Sequence, residues 1–397
     1  MASQESAFRI AVRSFGPFES AIQKQWKLFT EPSKANLQLE AVPFDLHPLH
    51  ETLFQREGLA GGEWDVAFVS TDWIAEASKA RSLVDLSSFL RTNPLDGYPD
   101  AWPDSLLRIQ NLENQILGLP YHDGPECLIY RTDLFNGAAD LPSTWEDFYA
   151  IAKRLNQPEK KLYGTAFAAY PDGHNTVYDF CVQLWSRGGD LFDSDGRVTL
   201  CTPVAAEALH FYRSIVNDTW AVHPGCRDFD SVKSGLAFAA GEIAMMVNWF
   251  GFAAMSETLA ESQVRGKVGI ARIPRQGGPH TSLNAYWILG IGAGSGHKDV
   301  AWEFLRHCAS AAMDKLLTIE GAIGCRKSTW HDPEVNANIP FYCRLEGIHQ
   351  GARELPRLPQ WAQLSAVIDE MVLNALNTDR SEQDLLTSAQ EKAQRLW

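Results

Sequence analysis

Residues Lys267 to Ser310 read KVGIARIPRQGGPHTSLNAYWILGIGAGSGHKDVAWEFLRHCAS, and this stretch decides the fold. The apolar run Val268 to Ile273 predicts a strand, Pro274 to Pro279 a loop, and Tyr286 to Gly292 a second buried strand. A Gly/Ser turn follows, and an amphipathic helix starts at Lys298. Tyr286 and Trp287 stand at the mouth of the second strand, beside Asn284. Polar groups next to flat apolar faces suit a small polyhydroxylated ligand better than a greasy one.

A chain of 397 residues is too long for one ordinary core, so two domains are expected. Hydrophobic residues make up 45% and charged residues 21%, a globular composition. The net charge of -14 opposes binding to nucleic acid or to an anionic membrane, because both reward clustered Lys and Arg. Thirteen Trp and an aromatic share of 11% are generous; most of them belong to the core, and a sugar site is one economical use for the surplus. The seven cysteines are scattered without a CxxC pair, so neither a zinc site nor a complete disulfide framework is expected, and they read as small buried hydrophobes. The first residues, MASQESAFRIAV, show no basic start, apolar stretch or small-residue cleavage pattern. The expectation is a chain without an export signal, either because one has been removed or because none exists. No stretch approaches the ~20 apolar residues of a membrane span.

Phe8 to Val12 is a buried strand that ends at Ser14 and Phe15. A helix from about Phe18 to Phe29 and a strand from Leu37 to Val42 complete a βαβ opening, the unit of a parallel sheet whose strand ends carry ligands. Trp64 to Val69 is a third strand, followed by Ser70-Thr71-Asp72-Trp73. Asp72 is either a hydroxyl acceptor or, with Thr71, the cap of the next helix. GLPYHDGPECLIYRTDLF, residues 118 to 135, places His122 and Asp123 at a polar break before an apolar strand. That pair also suits a base and its orienter, but no nucleophile motif accompanies it and turn-forming residues are needed there in any case. Ser143 or Thr144 caps a helix with acids in its first turn, and Ser381 caps a final helix that runs to Leu396. Tyr163 to Ala168 reads as a strand and Ala169 to Tyr178 as the polar loop at its end, which holds Asn175 and Tyr178, with a helix from Asp179 to Trp185. His174 has no second ligand at metal spacing. Leu191 to Leu200 reads as a hairpin around Asp195-Gly196. Gly241 to Val247 is a strand ending at Asn248-Trp249. Arg326 is placed to donate a paired hydrogen bond to a diol or carboxylate, and Trp361 follows a Pro-rich approach to a helix.

In this order, the elements resemble the family 1 extracellular solute-binding proteins of ABC transporters, the maltose-binding type. The resemblance is carried by Leu83-Val84-Asp85-Leu86, by residues 118 to 135, by Pro142-Ser143-Thr144-Trp145, by Gly241 to Met245, by Val300-Ala301-Trp302 with Phe304 and Leu305 after the Gly turn, and by Glu320 to Ser328. It covers essentially the whole chain. It implies an α/β, two-lobed periplasmic-binding-protein fold of type II, with discontinuous lobes joined by a hinge and a ligand cleft between them. The expected lobes are 1-122 plus 288-308 and 126-285 plus 309-397, with crossovers near 122 to 126, 286 to 290 and 308 to 311. It further implies capture of a carbohydrate, delivery to a membrane permease, a periplasmic or extracellular setting and a monomer without cofactor or metal. The ligand-binding residues expected are Ser14, Phe15, Asp72, His122, Asp123, Asn175, Tyr178, Asn248, Trp249, Asn284, Tyr286, Trp287, Arg326 and Trp361. Two other readings stay open. A charged solute such as a sugar acid, polyamine or amino acid would need a charge clamp around Asp72 or Arg326. A glycoside-processing enzyme would need two carboxylates facing each other at about 5 to 9 Å.

Overall fold

The apolar runs of the sequence become a five-stranded and a three-stranded sheet, with two further two-stranded pairs, in a computed structural model that describes residues 7–33 and 37–397. In chain order the elements used below are β1 (Ala7–Arg13), α1 (Gly16–Ser33), β2 (Gln38–Phe44), β3 (Val66–Ser70), β4 (Leu119–His122), β5 (Glu126–Arg131), α2 (Trp145–Leu155), α3 (Asn175–Trp185), α4 (Pro203–Val216), α5 (Ser231–Ala239), β6 (Met245–Trp249), β7 (Val268–Ala271), β8 (Ser282–Asn284), β9 (Trp287–Ile291), α6 (Lys298–Cys308), α7 (Ala311–Ile319), α8 (Trp361–Asn377) and α9 (Glu382–Gln394). The chain divides into two units. The first comprises Met1–Gly124, Ala285–Glu346 and Glu354–Pro359, and the second Pro125–Asn284, Gly347–Arg353 and Gln360–Trp397.

In the first unit the strand order is β2-β1-β3-β9-β4. β1 pairs parallel with β2 and β3, whereas β9 runs antiparallel between β3 and β4. All five residues of β3 are buried, which explains why that strand reads as a continuous apolar run rather than an alternation. Aromatic packing closes one face: Phe8 stacks on Trp26 at 4.7 Å between centroids, and Phe304 of α6 meets Trp26 edge-on at 5.1 Å. In the second unit β5 is the centre of an antiparallel sheet of order β6-β5-β7. Its helices start where the sequence places caps. Thr144 Oγ1 accepts from Asp147 N–H at 3.0 Å while Asp147 accepts from Thr144 N–H at 3.1 Å, a complete capping box, and Ser381 Oγ accepts from Asp384 N–H at 3.1 Å.

Three expectations about strands and unit boundaries change. Tyr163 to Ala168 forms only isolated bridges, Tyr163 with Ile243 and Thr165 with Val222, and the expected hairpin at 191 to 200 reduces to the bridge between Phe192 and Val198. Both segments pair for one or two residues, too few for a ladder. The chain after Cys308 stays with the first unit as far as Glu346, instead of leaving it at 308 to 311. The reason lies in α7. Gln25 of α1 donates to Met313 O at 3.2 Å while accepting from the buried Tyr121 hydroxyl at 2.8 Å. Asp314, 4% exposed, accepts from Cys325 N–H at 2.8 Å and Arg326 N–H at 3.2 Å. A Cβ on Gly324 would stand 2.5 Å from that carboxylate, so the turn 321–326 can close on Asp314 only with glycine there.

All seven thiols are free. Cys127, Cys181, Cys226, Cys308 and Cys325 are buried, Cys201 is half-buried and Cys343 is exposed. Burial raises the buried thiols, Cys226 to about 11, which keeps them protonated and inert. Asp314→Ala is expected to destabilise the chain by ~3 kcal/mol, because it orphans two buried N–H groups. Ser310→Ala, which removes the cap of α7 and the hydroxyl's bond to His307 O at 2.7 Å but orphans no buried N–H pair, should cost ~1 kcal/mol. Urea denaturation measures both, and equal losses would show that Asp314 does not anchor the turn.

Candidate ligand-binding site

The register of the first sheet gathers five of the expected residues at one edge. β1, β3 and β4 point the same way, so their carboxyl ends lie together with the amino end of the antiparallel β9. Trp287, half-buried, is the first residue of β9 and stands opposite Ser70 on one side and His122 on the other. Trp73 meets its ring edge-on at 5.7 Å, and Phe18 stands 6.5 Å away. Phe15 packs on Phe18 at 5.0 Å, and Ser14 N–H is tied to Phe44 O at 2.7 Å. Asp72 accepts from the Ser70 hydroxyl, while Thr71 rather than Asp72 fixes the start of β9, its Oγ1 accepting from Tyr286 N–H at 3.1 Å.

His122 has a defined chemistry. Its Nδ1 accepts from Ile323 N–H at 2.9 Å, and burial pushes its pKa down to about 3. The ring is therefore neutral with its proton on Nε2, a fixed hydrogen-bond donor and not a base awaiting a proton. Asp123 is fully buried, its N–H donating to Ile323 O at 2.9 Å. Tyr286 is 1% exposed and its hydroxyl donates to Leu106 O, so its ring belongs to the core. Arg326 is also committed inside the unit. Its guanidinium donates to Ala309 O at 2.9 Å and Asp96 O at 3.1 Å and lies 4.4 Å over the Trp102 ring.

The second unit brings together Trp249 with Asn175 and Tyr178, which lie in the first turn of α3 and not in the expected loop, because the helix starts at Asn175 and not at Asp179. Trp249, half-buried at the end of β6, meets Tyr178 of α3 edge-on at 5.8 Å. Asp172, which the sequence reading passed over, organises the loop before α3. It accepts from His174 N–H at 2.9 Å, Asn175 N–H at 3.3 Å and Asn175 Nδ2 at 3.0 Å. Asn248 spends its amide locally: Nδ2 donates to Ser231 O and Ser234 Oγ at 3.0 Å each, and Oδ1 accepts from Trp249 N–H at 2.8 Å. It thus orients Trp249. Trp361 is 4% exposed at the start of α8 and packs inward. Asn284 is 2% exposed with both ends of its amide buried and without a hydrogen-bond partner. A polar group in that state is costly unless something else satisfies it.

The other residue missed is Glu126. It stands opposite Trp249 in the β5–β6 register, and paired residues share a face. The signal was there, since a single acid opens the apolar run CLIYR directly after Gly124-Pro125. Asp179 of α3 lies in the same layer, accepting from the Tyr212 hydroxyl at 2.7 Å. Burial, helped by the negative charge of Asp172, raises its pKa from 3.8 to about 7 against the opposing hydrogen bond. An acid raised in the folded state holds its proton between those values while the unfolded chain has lost it. Stability from this group is therefore present at low pH and lost as pH rises to about 7. Asp179→Asn is expected to narrow the difference in melting temperature between pH 5 and pH 8. An unchanged difference would show that Asp179 ionises freely in the fold.

A profile of the bacterial extracellular solute-binding protein family matches residues 51–315, and the chain belongs to that family. An ABC transporter-binding protein of Deinococcus radiodurans is 23% identical over 328 residues, which cover 80% of this chain and 76% of the relative. Among solved structures, maltose-bound MalE3 of T. maritima superposes with a TM-score of 0.89 at 24% identity, covering 99% of this chain and 100% of that one. A solute-binding protein of Agrobacterium radiobacter K84, in complex with ribitol, gives 0.88 at 25% identity, with 99% of each chain covered. The chain is a substrate-binding protein of ABC transporters, with the two-lobed mixed α/β fold of that group, and not an enzyme. Its family works outside the cytoplasm and hands ligand to permease components.

Proposed function

We propose that this protein, acting as a monomer, captures an uncharged carbohydrate or polyol by closing its two lobes on it, and that the closed form is what the permease recognises. The observation that carries the reading is Trp287. Its half-buried ring stands at the edge of the first sheet between Ser70 and His122, so an aromatic face lies beside a hydroxyl and a fixed N–H donor. Sugars offer the matching combination of apolar C–H faces and ring hydroxyls. Trp249 with Tyr178 and Asn175 repeats the combination in the second unit. The maltose and ribitol complexes of the structural relatives point to the same ligand class. The anionic alternative loses its anchor, because the Arg326 guanidinium is occupied by two carbonyls and the Trp102 ring.

A thermal-shift panel of sugars, polyols and sugar acids tests this. A ligand at one hundred times its dissociation constant stabilises by about 2.7 kcal/mol, and a panel in which only acids raise the melting temperature would overturn the reading. Trp249→Ala should weaken binding of the panel's best ligand by roughly 1 to 3 kcal/mol, by analogy with the alanine cost of aromatic stacking on nucleobases. Its stability should fall by less than the 3 to 5 kcal/mol of a core Trp truncation. Calorimetry and melting of the same variant separate the two. Small-angle scattering should report one copy per particle and a smaller radius of gyration with saturating ligand. An unchanged radius with binding demonstrated would rule out closure.

A further inference from the structure

The second unit holds a half-open pocket of about 330 Å³ whose walls include Glu126, Ile273, His280, Thr281, Ser282 and Gly347. Such a volume suits a small ligand. Glu126 is the unusual wall residue. It is 5% exposed, its Oε2 lies buried without a hydrogen-bond partner, and it forms no ion pair among the described residues. The Ser282 hydroxyl donates to Glu126 O at 2.6 Å and fixes the start of β5 against β8. Asn284, with its unpartnered amide, lies two residues further along β8. The second unit thus holds a buried carboxyl oxygen and, on the neighbouring strand, a buried amide without hydrogen-bond partners, each of which costs free energy until a partner supplies the missing bond.

The charge of the pocket narrows the ligand. Burial, and the negative charge of Asp179 beside it, raise the Glu126 carboxyl well above the usual carboxylate range. A protonated carboxyl offers one donor and one acceptor, as an amide does, and neither balances a ligand's negative charge. Arg272, the cation of the lining, is exposed, so its charge is already solvated. His280 is tied through Nδ1 to Ile273 O at 3.0 Å.

We propose that this pocket is a subsite for an uncharged polyhydroxylated ligand, in which Glu126 reads ligand hydroxyls and discriminates against the corresponding carboxylates. The proposal rests on the carbohydrate reading above and deepens it by naming the residue that sets specificity. Calorimetry at pH 7 tests it with the tightest neutral ligand of the panel and its carboxylate counterpart, ribitol against ribonate and maltose against maltobionate being the first pairs. The neutral member should bind at least tenfold more tightly. Glu126→Leu should lose at least tenfold in affinity, and Glu126→Gln, which keeps a donor and an acceptor, should recover most of that loss. Gly347→Phe supplies a second route if the Leu variant folds poorly. A Cβ at Gly347 meets no atom within 4 Å, so the added ring takes up space without a backbone clash and should weaken binding as well. Tighter binding of the carboxylate would overturn the proposal. Unaltered affinity in both Glu126→Leu and Gly347→Phe would overturn it while leaving the carbohydrate reading intact. Failure of the wild type to bind any neutral sugar or polyol would overturn both.

Discussion

The ladder that β9 forms between β3 and β4 is the constraint on which the first unit depends. Residues Trp287 to Ile291 pair one for one with Ser70 to Val66, and a strand from the later part of the chain thereby completes a sheet begun by residues 7–70. A one-residue slip would turn Trp287 to the other face and break its position between Ser70 and His122. The same ladder places Thr71 where its hydroxyl can receive Tyr286 N–H. The fold and the edge proposed to bind ligand are therefore set by one register. Because β9 is buried against both neighbours, its burial energy holds the aromatic edge in place without any dedicated loop.

Much of this was legible in the residues. The Pro/Gly loop, the second strand and the helix at Lys298 emerge where their periodicity puts them, and the cap residues Thr144 and Ser381 do what their chemistry predicts. Trp249 falls at the finish of a strand and Trp287 at the start of one because a polar residue beside an apolar run, Asn248 in one case and Asn284 in the other, marks where a strand ends or begins. Less legible was which polar residue is already spoken for. Asn248 and Arg326 are ordinary ligand-reading types, yet one orients a neighbouring indole and the other ties three backbone segments together. Pattern gives the type of a side chain but not its partners, which come from segments tens or hundreds of residues away. The same distance hid the role of α7, whose attachment to the first unit rests on Gln25 and on the turn around Gly324.

Glu126 shows the reverse failure. In sequence it is one acid at the head of a strand and draws little notice beside His122 and Asp123. In the fold its neighbours are what make it unusual: a buried start of strand, an opposing Trp249 and a second raised acid in the same layer. Residues that break a local rule without an evident internal compensation are where function is to be sought. Asn284 belongs with it on the same argument.

The thiol inventory has a practical consequence. Five cysteines are sealed in the core, whereas Cys343 is exposed in the first unit and Cys201 is half-buried in the second, where Gln383 Nε2 donates to its sulfur at 3.1 Å. The unaltered chain therefore carries one addressable sulfur on each unit, with unequal reactivity. A maleimide dye would take Cys343 first and a different dye Cys201 afterwards. The native protein can in this way be turned into a two-colour distance reporter, with no residue replaced and no buried thiol disturbed.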